Sequence, residues 1–253
     1  KVTITDLEPA EIIQYGRDLG VIKTLEHSLG DIIVIAGKSS VLLTYFRNNV
    51  SHLFALPSFL AACFLVLNEI PKSRVLRLFD PIYPFLRKEL FLPWTNKEAK
   101  EALQHYIELF TSLELISGSR TLRRASGGSQ STASLGLLGR GLLQTFERYF
   151  IAITVLSHRG SGTLSAGELE ELCILYAQRI SMLHEFDAPE FYDKTLFRTF
   201  IGNLLQEGLV TEAEDQTLEF GPELESLSEG ARLVMSTELR HGILQVASGT
   251  MAD

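Results

Sequence analysis

The sequence predicts a mainly α fold with short β-hairpins, built from winged-helix-like helical units that recur along the chain. Three observations carry this. Apolar residues return at helical spacing through most of the 253 residues. Alternating apolar runs are few and short. Three helix-to-strand signatures, Gly20-Val21-Ile22, Glu114-Leu115-Ile116 and Gly208-Leu209-Val210, stand at equal intervals of 94 residues.

The elements follow in order. Residues 8–25 carry Ile12, Ile13, Val21 and Ile22 on a helical pattern that Gly16 and Gly20 weaken. Residues 31–35 form a β-type run, 36–39 a turn, and 41–44 a return strand. A helix spans 45–67, and Pro71 suits the first turn of another that runs toward Leu90, where Pro81 and Pro84 should kink or break it. Thr95 with Glu98 three residues on is a capping box opening a helix over 96–113. Residues 117–141 are rich in Ser, Gly and Arg and suggest a loop or flexible linker. Helices resume over 142–156, 165–183 (Ser165 and Glu168 form a second capping box) and 189–207, with Pro189 at a helix start. Residues 211–220 suggest a hairpin, and Leu224, Leu227, Ala231, Val234 and Leu239 a final amphipathic helix.

This gives a domain plan. Residues 1–44 close a preceding helical unit and add a hairpin. Residues 45–116 form a first winged-helix-like unit, 117–141 a flexible linker and 142–220 a second winged-helix-like unit. Residues 221–253 supply a C-terminal helix and tail.

Composition narrows the function. The chain is 45% hydrophobic and 21% charged, with a net charge of -8. An acidic chain repels phosphate backbones, which argues against nucleic acid as a partner. The first residue is Lys1, so a piece of a longer or processed chain is expected, and residues 1–11 lack the apolar core of a secretory signal. The apolar run at 53–67 is shorter than the ~20 residues that span a bilayer, and Pro57 interrupts it; a buried core helix is expected. Cys63 and Cys173 sit in apolar helical contexts, as small hydrophobes in a reducing compartment, without His partners for a metal.

Candidate chemistry is thin. The six histidines, His27, His52, His105, His158, His184 and His241, are followed five positions on by Ile32, Pro57, Phe110, Thr163, Pro189 and Val246, so none has a carboxylate at that spacing. His184, near Glu185 and Asp187, fits a helix end better than a catalytic base. Ser126-Gly127-Gly128-Ser129 lacks the Lys and the preceding strand of a phosphate loop, and Arg123-Arg124 reads equally as a solvated loop. Glu168, Glu170 and Glu171 suit a helix N-terminus without a metal. The segment 85–94, Phe-Leu-Arg-Lys-Glu-Leu-Phe-Leu-Pro-Trp, fits either a membrane interface or a helix end packed into a core with its cations reaching solvent. No catalytic, cofactor-binding or metal residue is assigned, and no cofactor is expected.

Three stretches resemble one family. The first is Gly30-Asp31-Ile32-Ile33-Val34-Ile35, continuing to Leu43-Thr44-Tyr45-Phe46-Arg47-Asn48-Asn49-Val50, with His52 and Leu56-Pro57-Ser58 after it. The second is Leu76 to Leu92, including Tyr83-Pro84-Phe85-Leu86-Arg87-Lys88-Glu89-Leu90-Phe91-Leu92. The third is Ala177-Gln178-Arg179 with Leu183-His184, then Asp187 through Lys194, and Glu207-Gly208. In this order they resemble the C-terminal, non-catalytic region of the bacterial membrane-associated glycerol-3-phosphate acyltransferases.

The resemblance implies an enzyme, as the full-length protein, that moves a fatty acyl group from acyl-CoA or acyl carrier protein to the first hydroxyl of sn-glycerol 3-phosphate. The product is lysophosphatidic acid, made for phospholipid synthesis. It implies an upstream catalytic domain as partner, which would bind both substrates, and a peripheral location on the cytoplasmic side of the inner membrane. The family's catalytic His and Asp, separated by four residues, have no counterpart in this sequence, so the chain alone is expected to be inactive. The alternative is a stand-alone winged-helix-like protein-interaction module. Arg47, Asn48 and Asn49 open the most apolar helix, either as local caps or, for Arg47, as a contact to the catalytic domain.

Overall fold

The computed structural model describes residues 6–35, 39–126, 130–183, 189–224, 227–229 and 240–244, and the chain divides into two compact units, 1–50 and 51–253. Unit 1–50 holds helix α1 (Pro9–Asp18), strands β1 (Ile22–Leu25) and β2 (Ile32–Ile35), and the start of helix α2 (Ser39–Val66). Strands β1 and β2 pair antiparallel, Ile22 opposite Ile35 and Leu25 opposite Ile32. The helical pattern of 8–25 therefore stops at Asp18, and Ile22 belongs to a strand. Residues 41–44 are helical, because β2 already has β1 as its hairpin partner and the apolar run continues into α2.

Unit 51–253 repeats one arrangement. The end of α2 leads to β3 (Glu69–Pro71), α3 (Lys72–Glu89), α4 (Asn96–Ser112), β4 (Ile116–Ser117) and β5 (Thr121–Arg124), with sheet order β3-β5-β4. After α5 (Gln130–Arg140) the order returns: α6 (Leu143–Arg159), α7 (Ala166–Leu183), a 3-10 turn (Pro189–Tyr192), α8 (Lys194–Gln206), β6 (Val210–Glu212) and β7 (Leu218–Phe220). Before α7, residues 162–165 run along β7. The Gly162 amide donates to the Leu218 carbonyl (2.9 Å), the Leu218 amide to the Leu164 carbonyl (2.7 Å), and Ser165 stands opposite Thr217. A helix, two further helices and a hairpin thus occur twice, with a strand (β3) after the first helix in one copy and the bridged segment 162–165 in the other.

The three evenly spaced signatures are one structural device. At each, the helix ends in a residue with positive φ: Gly20 at 69°, Glu114 at 57° and Gly208 at 71°. Each of these amides donates to the carbonyl three residues back (Arg17, Thr111, Leu205), and the next amide donates five back (Gly16, Phe110, Leu204). This is the Schellman closure, which satisfies the last helical carbonyls and turns the chain into a strand. Glycine meets the left-handed geometry without penalty, whereas Glu114 adopts it with a Cβ.

The core of 51–253 centres on α2. Ala55, Leu56, Phe59, Leu60, Ala61, Ala62, Cys63 and Phe64 are all buried, so this part of the helix is enclosed on every side. Pro57 sits inside it; the carbonyl deprived of its partner is that of Leu53, an exposed residue. Helix α3 likewise runs unbroken through Pro81 and Pro84; the carbonyls deprived of partners there are those of Arg77 and Asp80, both exposed residues. Both cysteines are fully buried, and burial raises their thiols, Cys63 to about 12 and Cys173 further still.

Within 117–141 the described residues 117–126 and 130–141 include β5 and α5. Leu122 of β5 and Leu135 of α5 are buried, and Gly139 lets α5 press on α2, where a Cβ would lie 2.9 Å from Leu65 Cδ2. Both expected capping boxes form, Thr95 with Glu98 and Ser165 with Glu168. The helix expected from Pro189 is split: its first residues make the 3-10 turn, and Asp193 caps α8 through the Thr195 amide at 2.7 Å. Most of the expected final helix lies outside the described residues; 240–244 and 227–229 within it include helical turns.

The left-handed exits generate a paired expectation. Gly208→Ala, where no neighbour lies within 4 Å of the new Cβ, should lower stability by about 1 kcal/mol through backbone strain alone, a few degrees in Tm. Glu114→Gly should leave Tm unchanged or raise it. Thermal unfolding of the two variants checks this; equal losses would show that the exits do not set the strain.

Candidate functional site

The residues singled out by their chemistry are dispersed. His27, His52, His105, His158 and His241 are exposed, and His184 lies outside the described residues. His27 Nδ1 accepts from the Leu29 amide at 3.2 Å, a local turn bond. Residues 127–129 are also outside the described set, but their Arg neighbours are not a loose anion site. Arg123 pairs with Glu69 across β5 and β3 at 3.0 Å, and Arg124 Nη1 donates to the Phe64 carbonyl at 3.5 Å. Arg47, Asn48 and Asn49 lie within α2 rather than at its start, so they do not cap it; Arg47 donates to Asn48 Oδ1 at 3.2 Å from Nη2. Among the described residues no group of three or more His, Cys, Asp and Glu side chains could hold a metal ion.

Segment 85–94 divides by side chain. Phe85 and Leu86 are buried on α3, and the Tyr83 hydroxyl donates to the Trp94 carbonyl at 2.8 Å. Lys88 bonds Glu207 at 2.7 Å and Gln206 at 3.1 Å, tying α3 to the end of α8. Phe91, at φ 53°, stands 90% exposed. Lys88 and Phe85 thus serve packing, while Phe91 and Trp94 are exposed.

The most developed polar site is one that sequence patterning did not single out. Glu89, at the end of α3, accepts from Arg148 Nη2 at 2.6 Å and Thr145 Oγ1 at 3.3 Å on one oxygen, and from the Tyr149 hydroxyl at 2.7 Å on the other. The ion pair is buried, with Arg148 7% and Glu89 13% exposed. The Tyr149 ring stacks on Phe200 of α8, centroids 4.2 Å apart and planes 11° apart, and Phe85 packs against both. Burial and the Glu89 charge together hold the Tyr149 hydroxyl protonated well above its ordinary range. Beside it, Glu147 is buried with Oε2 unpartnered among the described residues, and desolvation raises its carboxyl to about 7 despite the Arg148 charge. The available signal was a charged pair, Glu147-Arg148, inside an otherwise apolar helical pattern.

A second cluster joins α7 to α8. Arg198 reaches Glu170 with both Nε (2.8 Å) and Nη2 (3.2 Å), and Lys194 adds a contact at 3.1 Å. These bonds hold the Glu170 carboxyl below its usual range, the Arg198 bond most of all. An open cleft of about 990 Å³ between α6 and the segment after β7 is lined by Phe150, Thr154, Ser157, His158 and Pro222. The Ser157 and His158 side chains there are exposed. Chemically, these groups hold helices together; among the described residues no base is oriented by a carboxylate in the way proton abstraction needs.

Comparison with known proteins gives a consistent result. The family model described as the glycerol-3-phosphate acyltransferase C-terminal region matches residues 2–213. A glycerol-3-phosphate acyltransferase of Xanthomonas campestris pv. campestris is 41% identical over 252 residues, 98% of this chain and 28% of the relative. One from Xylella fastidiosa is 40% identical over 98% of this chain and 29% of its own length. One from Pseudomonas fluorescens is 36% identical over 97% and 30%. The chain therefore spans under a third of the length of the curated relatives it matches.

Arg148→Ala should destabilise the protein by about 3–5 kcal/mol, because it leaves Glu89 charged and buried without its cation. Tyr149→Phe should cost about 1–2 kcal/mol, one hydrogen bond to a carboxylate. Urea unfolding measures both, and a loss for Arg148→Ala no larger than that for Tyr149→Phe would contradict the account. Glu147 has a folded pKa of about 7 against an ordinary 4.5, so the folded state holds an extra proton between those values. Stability should fall as pH rises from about 4.5 to about 7 and flatten above, a span of about 3 kcal/mol. Glu147→Gln should remove that slope; an unchanged pH profile would refute the raised pKa.

Proposed function

The chain belongs to the glycerol-3-phosphate acyltransferase C-terminal family, and from that premise we propose that it is the non-catalytic part of a longer polypeptide acylating sn-glycerol 3-phosphate. The acyl donor is acyl-CoA or acyl carrier protein and the product lysophosphatidic acid. An upstream catalytic domain binds both substrates. The observation that carries the reading is the similarity along nearly the whole chain to acyltransferases more than three times its length. The absence of a His with a carboxylate five positions on, at every one of the six histidines, supports assigning the chemistry elsewhere in the polypeptide.

In this reading the two repeated arrangements are winged-helix-like units that brace the catalytic domain, with α5 between them. The net charge of -8 disfavours nucleic acid as their partner. The enzyme is peripheral, on the cytoplasmic side of the inner membrane. Residues Tyr45–Val66 of α2 are long and apolar enough to cross a membrane by length and composition, but 56% of the apolar window is buried within the protein, which supports a core helix. Arg47, exposed on α2, is suited to a fixed contact with the catalytic domain because its planar fork favours defined geometry.

The test is acyl transfer to glycerol 3-phosphate from labelled acyl-CoA. The longer polypeptide should form lysophosphatidate and the 253-residue chain should not. Product above background from the chain alone would place the chemistry here and overturn the reading. Full activity from the longer polypeptide after deletion of this region would overturn the bracing role.

A further inference from the structure

The internal repeat is complete twice and incomplete once. In both complete copies a further segment lies on the second strand of the hairpin after the left-handed exit, a paired strand in the first and a turn segment joined by one bridge in the second. β3 lies on β5, with Ile70 opposite Leu122, and residues 162–165 lie on β7, with Ser165 opposite Thr217. In both, that segment runs straight into the cap of the next helix: Pro71 precedes α3 and Ser165 caps α7. Pro71 and Ser165 are 94 residues apart, the interval that also separates Ile22, Ile116 and Val210 at the hairpin starts.

The copy in 1–50 has the helix, the exit at Gly20 and the hairpin β1–β2, but among the described residues no strand lies on the outer edge of β2. The consequence is visible in burial. The second hairpin strand of each complete copy buries a leucine, Leu122 at 0% and Leu218 at 1% exposure, while β2 (Ile-Ile-Val-Ile) buries none of its residues. The register puts Ile33 and Ile35 on one face and Ile32 and Val34 on the other, so both faces of β2 are apolar. A strand apolar on both faces belongs to a sheet interior, and an edge without charge or proline accepts another strand. A two-stranded hairpin is marginal in water until a third strand joins it.

We infer that the outer edge of β2, Ile32–Ile35, receives an antiparallel strand from the polypeptide ahead of Lys1, completing a third copy of the repeat. The interval carried back from Pro71 places that strand about two dozen residues before Lys1. The inference rests on the reading that this chain is part of a longer acyltransferase. The acidic Glu26 and Asp31 at the hairpin's loop disfavour an anionic lipid surface as the occupant of the edge.

Amide hydrogen exchange at residues 32–35 tests it, comparing the 253-residue chain with the longer polypeptide that carries it, both without lipid. The longer polypeptide should exchange about 100-fold more slowly there, approaching the protection of β5. Unchanged exchange overturns the inference. Slowing that appears only with vesicles of phosphatidylethanolamine and phosphatidylglycerol, or that grows with protein concentration, assigns the edge to lipid or to a second copy and also overturns it. Acyl transfer by the same preparation separates the two claims. An active enzyme with fast exchange at β2 overturns the strand alone, and an inactive polypeptide with slow exchange overturns the acyltransferase reading alone.

Discussion

The Glu89 carboxylate ties the two helical repeats of 51–253 to each other. It ends α3, in the first repeat, and takes three bonds from α6, in the second. A buried ion pair of this kind adds little net stability over an apolar core of the same shape, because desolvation offsets most of the attraction. Its effect is geometric. Thr145, Arg148 and Tyr149 stand at i, i+3 and i+4, on one face of α6, so a single carboxylate fixes the rotation and depth of that helix against α3. The stacked pair Tyr149–Phe200 then carries the same orientation to α8, and Lys88 with Glu207 repeats the tie at the surface. An apolar residue at 89 would fill the space without specifying any of this.

What the sequence revealed, and what it hid, follows from how local each cause is. Capping boxes and left-handed exits are written in three or four adjacent residues, which is why Thr95, Ser165 and the three signatures were found with their positions correct. Residues 41–44 are helical where the sequence predicts a strand, because a short apolar run has the same composition in a strand as in an enclosed helix, and only pairing decides. Pro81 and Pro84 mislead for a related reason: their cost depends on whether water reaches the carbonyls of Arg77 and Asp80, a property of the folded surface. Burial of Leu122 and Leu135 and the close approach at Gly139 are contacts with distant parts of the chain, which a Ser, Gly and Arg composition does not report. The Glu89 cluster spans some sixty residues of chain, so no local pattern reports it, although Glu147-Arg148 within an apolar helix was an available sign.

The polar groups that are buried here serve architecture. Glu89, Arg148 and Glu170 all end in bonds to neighbouring helices, and Glu147 is held in a form that favours a neutral carboxyl. Perturbed carboxyls often mark catalysis, but the same physics appears wherever helices are pinned by charge. Family membership rests on similarity along the chain and not on any polar cluster within it.

The two cysteines give the molecule a built-in clock. Cys63 lies in the first repeat and Cys173 in the second, and each thiol is sealed and protonated while its helix stays packed. A thiol reagent can reach either sulfur only when that repeat opens, so the two labelling rates time two separate openings within one native population. If the repeats breathe as one body, the clocks run together; if they are quasi-independent modules, they diverge. Any thiol introduced on the surface for spectroscopy would react on a different timescale, with both native sulfurs left in place.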